Sequence, residues 1–157
     1  GILIKDGGAG AVKIEGGTQV SKHTQTLVNY GIPVLGHVGL TPQSFHQLSG
    51  YKIQGKTLED AQKIIDDAKA VEDSGAFAIV LECIPQELAE DITGRLTIPT
   101  IGIGSGKKCD GQIQVFHDVI GFSKETAPKH AQTYDNMYAK ISSIIGQYKA
   151  DVEDTNV

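Results

Sequence analysis

Apolar residues follow two rhythms along this chain. Five short runs are rich in Val and Ile: residues 11–16 (AVKIEG), 32–39 (IPVLGHVG), 77–83 (FAIVLEC), 98–104 (IPTIGIG) and 112–119 (QIQVFHDV). They are too short for helices and predict strands. Between them the apolar spacing lengthens to that of a helix. Over 57–74, Leu58, Ala61, Ile64, Ile65, Ala68 and Val71 share one helical face, and Thr57 with Asp60 resembles a capping box. Residues 18–30 and 86–95 also predict helices. Tyr134, Tyr138, Ile141, Ile145, Tyr148 and Val152 keep helical spacing near the C-terminus.

Strand followed by helix, repeated, predicts an α/β fold with a parallel sheet and helical crossovers. Small-residue turns before three of the runs (GGAGAVK, YGIPV, SGAFAIV) form a weak repeat that favours a (βα) barrel over a doubly wound sheet. A closed barrel needs eight units and about 250 residues. The 157 residues here hold about five, so the expectation is one domain over 1–157, an incomplete barrel with its N-terminal βα units absent. The opening GILIKDGGAG reads as the last turn of a helix and its glycine stop, and the only methionine is Met137. The sequence therefore reads as starting in mid-domain.

Charge narrows the function. Fourteen basic residues against nineteen acidic ones leave a formal −5 with no basic cluster, which argues against a nucleic-acid partner. Cys83 and Cys109 have neither metal-finger spacing nor the density of a disulfide framework. No apolar run reaches the roughly 20 residues of a membrane span, and no signal peptide is visible. A cytoplasmic protein is expected.

In a (βα) barrel, chemistry sits at the C-terminal ends of the strands. The polar residues obey that rule. Lys13 and Glu15 are two apart on the first strand and share a side. Alone, such a pair is usually a solvated edge, but its Val/Ile setting predicts burial here. His37 ends the second strand, and Glu82 ends the third behind FAIVL, where a carboxylate is costly to bury without a partner. The competing readings are a structural histidine at 37 and, at 82, an acid opening the helix after Pro85. Gly104, Ser105 and Gly106 end the fourth strand. His117 and Asp118, late in the fifth run, and Cys83, a small core residue, read as structural. GIGSGKK (102–108) suggests a phosphate loop but fails it: a Walker motif needs glycine where Ile101 stands and Ser or Thr where Lys108 stands.

Taken together, AVKIEGG, GIPVLGHVGLTPQS, GYKIQGK, GAFAIVLECIP, IPTIGIGSG and CDGQIQVFHD resemble ketopantoate hydroxymethyltransferases, in order from about Gly7 to Gly121. The resemblance implies a (βα)8 TIM barrel of the phosphoenolpyruvate mutase and isocitrate lyase type. The implied reaction moves a hydroxymethyl group from 5,10-methylenetetrahydrofolate to 3-methyl-2-oxobutanoate, giving 2-dehydropantoate for pantothenate biosynthesis, with Mg2+ as cofactor. Lys13 falls on a substrate-contacting lysine, Glu15 on an acid of the metal shell, His37 on a histidine beside the substrate, and Glu82 on the general base. The small residues after His37 would leave room for substrate, and residues 41–56 would form a loop that closes over it. A large homo-oligomer is also implied. The family's GDS and ADxPF segments, whose aspartates bind the metal directly, have no counterpart in this sequence. The segment alone is therefore expected to bind Mg2+ weakly and to be inactive. Two rival readings accompany this one: another Mg2+-dependent 2-oxo-acid lyase or aldolase on the same barrel, and a truncated, non-catalytic interaction protein.

Overall fold

A computed structural model describes residues 1–42, 53–124, 128 and 130–154. The chain divides into two compact units, Gly1–Ile113 and Gln114–Val157.

The first unit is a five-stranded, wholly parallel sheet in the order β1-β2-β3-β4-β5, each strand beside its neighbour in sequence. Its strands are β1 (Val12–Glu15), β2 (Val34–Gly39), β3 (Ala78–Glu82), β4 (Thr100–Ile103) and β5 (Gly111–Gln112). The described helices are α1 (Ile2–Lys5), α2 (Ser21–Asn29, entered through a 3₁₀ turn at Thr18–Val20), α3 (Leu58–Asp73) and α4 (Gln86–Arg95). This is the α/β architecture the alternating pattern predicts, and the consecutive strand order is that of a partial TIM barrel.

The helix α3 starts where its sequence says it should. Thr57 Oγ1 accepts a hydrogen bond from the Asp60 backbone N–H and donates one to the Asp60 carboxylate. That spares one of the helix's orphan donors. Its apolar face carries Ile64, Ala68 and Val71 onto Val38, Ile79 and Leu81 of the sheet, and Leu88, Ala89 and Ile92 of α4 complete the same core. Gly36 lets α3 come close: a Cβ there would lie 2.2 Å from the Val71 Cγ1. At the far end of α3, Glu72 accepts hydrogen bonds from the Thr97 N–H (2.6 Å) and hydroxyl (2.8 Å), fastening the helix to the approach to β4. Burial pushes the Glu72 carboxyl up, but Lys69 and the Thr97 bonds together outweigh it and hold it at about 2.

The fifth run departs from expectation. Only Gly111–Gln112 pairs as strand, and Phe116–Ile120 is a short helix, α5, of the second unit. His117 and Asp118 therefore lie on a helix rather than at a strand end. Gly121, in the left-handed conformation at φ +62°, ends that helix in the manner of a glycine stop. The remaining helix of this unit, α6 (Met137–Glu153), is capped by the Asn136 side chain, which accepts from the Ala139 N–H. Among the described residues no helix is long and apolar enough to cross a membrane.

Candidate active site

Strand alternation gives the sheet two unlike faces. Val38, Ile79 and Leu81 face the helices. Their alternating neighbours project to the other side, and the parallel register aligns them: Glu15 is level with His37, His37 with Val80, and Glu82 with Gly39. Glu15, His37 and Glu82 thereby meet at the C-terminal ends of three adjacent strands.

His37 is the centre of the group. It is 1% exposed, with Nε2 3.1 Å from Glu82 Oε2 and Nδ1 3.7 Å from Glu15 Oε1. The first distance suits a hydrogen bond but the alignment does not, and neither ring nitrogen has a hydrogen-bond partner among the described residues. A buried imidazole flanked by two carboxylates can serve both only as the doubly protonated cation; the neutral ring carries one N–H. Such contacts often tighten only once substrate is bound. Lys13 lies on the same side of β1 but is exposed. Its burial is expected from the sequence, but Lys13 is exposed; among the described residues no strand flanks β1 on the side away from β2, and the long lysine stem reaches solvent.

The backbone that presents Glu82 is held from every side. Its carbonyl accepts from the Leu40 N–H at 2.8 Å, and the Cys83 N–H donates to Ile103 O at 2.9 Å. Ser105, fully buried, donates its hydroxyl to Leu81 O at 2.7 Å and accepts from the Ile84 N–H at 3.3 Å. These bonds straddle a tight bend, because Cys83 has φ +49°, a left-handed conformation costing a side-chain-bearing residue roughly 1–2 kcal/mol. Gly39 is required beside it: at φ +92°, any Cβ would stand 2.3 Å from Glu82 O. Cys83 is itself buried. Desolvation, reinforced by the Glu82 charge, pushes its thiol up to about 11, so it is a core residue and no ready nucleophile.

The glycine-rich turn after β4 contributes differently from a phosphate loop. Gly104 and Gly106 adopt positive φ, and the buried hydroxyl between them braces β3. The sequence placed Ser105 at a strand end but carried no sign that it would pin the neighbouring strand; that contact joins residues far apart in the chain. Residues 43–52, the greater part of the expected closing loop, lie outside the described residues.

A profile described as Ketopantoate hydroxymethyltransferase matches residues 1–157. The chain belongs to that family. It is 52% identical over 153 residues to a 3-methyl-2-oxobutanoate hydroxymethyltransferase from Geobacter metallireducens, covering 98% of this chain and 57% of that relative. A Carboxydothermus hydrogenoformans protein of the same name is 53% identical over 154 residues, covering 98% and 56%, and one from Dehalococcoides mccartyi is 53% identical over 152 residues, covering 97% and 54%. The chain thus spans a little over half the length of these curated relatives.

A hard cation such as Mg2+ prefers oxygen donors and binds through one or two carboxylates and several waters. Glu15 is a suitable donor, with its side chain 13% exposed at a strand end. Among the described residues, no three His, Cys, Asp or Glu side chains are grouped to hold a metal. Among the described residues, Glu15 could supply one oxygen donor to such an ion.

Proposed function

We propose that the full-length protein carrying this chain transfers a hydroxymethyl group from 5,10-methylenetetrahydrofolate to 3-methyl-2-oxobutanoate, giving 2-dehydropantoate. The observation that carries the proposal is the meeting of Glu15, His37 and Glu82 on the barrel-interior side of a sheet from this family. Glu82 takes the single C3 proton of the oxo acid, and the electron pair of that C–H bond passes through C3 to the keto oxygen. Water adds to the one-carbon unit as its two bonds to folate nitrogen break, its hydrogens passing to those nitrogens and its oxygen staying on the carbon at the formaldehyde level; C3 then bonds to that carbon, and the oxygen takes the proton held by Glu82 to become the hydroxyl. Lys13 meets the substrate carboxylate. His37, against Glu82, lies beside the substrate and holds the base in place. Glu15 contributes to a Mg2+ shell, and the ion, when bound, supplies Lewis-acid polarisation of the keto group. The protein works as a cytoplasmic homo-oligomer.

The test is exchange of the C3 hydrogen into deuterated water without folate. Glu82→Gln preserves shape and removes basicity, and exchange should slow about 10²-fold or more. A variant exchanging as fast as the parent would remove Glu82 from the role of base.

A further inference from the structure

A cavity of about 200 Å³ lies on the helix side of the sheet, at the ends of β1 and β2. It is smaller than the roughly 300 Å³ at which pockets for drug-sized molecules begin, so it suits a ring-sized head group rather than a whole co-substrate. Asp60, Lys63 and Asp67 of α3 line it, together with Gln19 and the strand-end glycines Gly16 and Gly39. The three charged positions follow from helix geometry, since spacings of three and four put them on one face. Gly16 directly follows Glu15, and Gly39 is level with Glu82 in the sheet. The backbone between cavity and carboxylates therefore carries no side chain at these two points.

The lining selects the chemistry of a ligand. Two carboxylates beside one ammonium leave the lining net negative, which disfavours a simple anion, while the ammonium calls for an acceptor on the ligand. A carboxylate only accepts hydrogen bonds and an ammonium only donates them. Asp67 Oδ1 is occupied by the Thr18 N–H and hydroxyl, both at 2.8 Å, and Oδ2 takes no hydrogen bond from the described residues. Lys63 makes no ion pair among them. The complementary ligand is a neutral ring with adjacent N–H donors and a carbonyl acceptor on one edge. A 2-amino-4-oxopyrimidine has that edge: the amino group and ring N–H face a carboxylate, and the carbonyl faces a lysine.

We propose that this cavity binds the pterin ring of the folate co-substrate, Asp67 Oδ2 accepting from the edge that carries its amino and ring N–H groups and Lys63 donating to its carbonyl; the assignment rests on the hydroxymethyl-transfer reading. Asp67→Asn keeps an oxygen for Thr18 while removing the charge, and Lys63→Met alters an exposed side chain. In the full-length protein, calorimetry with tetrahydrofolate should show affinity falling at least tenfold for Asp67→Asn and at least threefold for Lys63→Met. Exchange of the oxo acid's C3 hydrogen, which needs no folate, should fall by much less in each. Should Asp67→Asn misfold, Lys63→Met decides alone. Tetrahydrofolate affinity within twofold of the parent in the folded variants, affinity and exchange falling together, or a parent that binds no tetrahydrofolate would each overturn the assignment. A parent that exchanges C3 hydrogen, with affinity indifferent to both substitutions, sinks this assignment alone. A parent that never exchanges it, with affinity that follows Asp67, sinks the transfer reading and leaves a pterin site.

Discussion

The two faces of the sheet are made by the same strands and do opposite things. On the helix side, Val38, Ile79 and Leu81 pack against Ile64, Ala68 and Val71 with no polar side chain among them. On the other side, one residue away along each strand, Glu15, His37 and Glu82 crowd together, and the His37 ring nitrogens make no hydrogen bond among the described residues. Packing stabilises the first face. The second sets three ionisable side chains side by side, the kind of cluster found at functional sites. Period two in a strand is what lets one short segment carry both without compromise. A substitution at a packed strand position on the helix side should therefore change stability and spare chemistry, and its immediate neighbour along the strand should do the reverse.

Leu81 and Glu82 are the sharpest such pair. Leu81→Ala, at a fully buried position, should cost about 2–5 kcal/mol in denaturant unfolding. The activity of the molecules that remain folded should stay within a few-fold of the parent. Glu82→Gln should leave the unfolding midpoint nearly in place while C3 exchange collapses. A Leu81→Ala enzyme that is stable but dead would show that the two faces are coupled.

A smaller effect should appear with pH. Glu72 is held at about 2 in the folded protein against an ordinary value of 4.5. Its contribution is fully present above about pH 4.5 and is lost as pH falls from there toward 2, because the unfolded chain binds the proton first. Glu72→Gln should lose about 1–3 kcal/mol at neutral pH, the usual cost of weakening a part-buried acceptor. It should also flatten the acid limb of the stability profile. An unchanged acid limb would show that the Thr97 tie contributes nothing.

The smallest expected effect is at Lys13, on the site face but exposed. Lys13→Ala should raise the KM for the oxo acid about tenfold, equivalent to about 1.4 kcal/mol, with kcat little changed, because a contact made equally in ground and transition states is removed. A collapsed kcat at constant KM would move Lys13 into the chemistry.

Much of this was determined by local sequence. The bounds of α4 match their prediction, and the Thr57 cap starts α3, because caps and apolar spacing act over three or four residues. Glu82 at the end of β3 was equally legible, since an acid after an unbroken apolar run has few other places to go. The fifth run misled for the same local reason: QIQVFHDV alternates like a strand, yet only its first residue joins one and its latter part turns into α5. What the tertiary structure alone decided is long-range. Residues 15, 37 and 82 become neighbours through parallel register, which depends on crossover helices and not on any one segment. The same is true of His37's near-complete burial, Lys13's exposure, and the Ser105 hydroxyl bracing β3. Each depends on which strand stands beside which, and hydrogen-bond partners across strands leave no periodic trace in the sequence of either one.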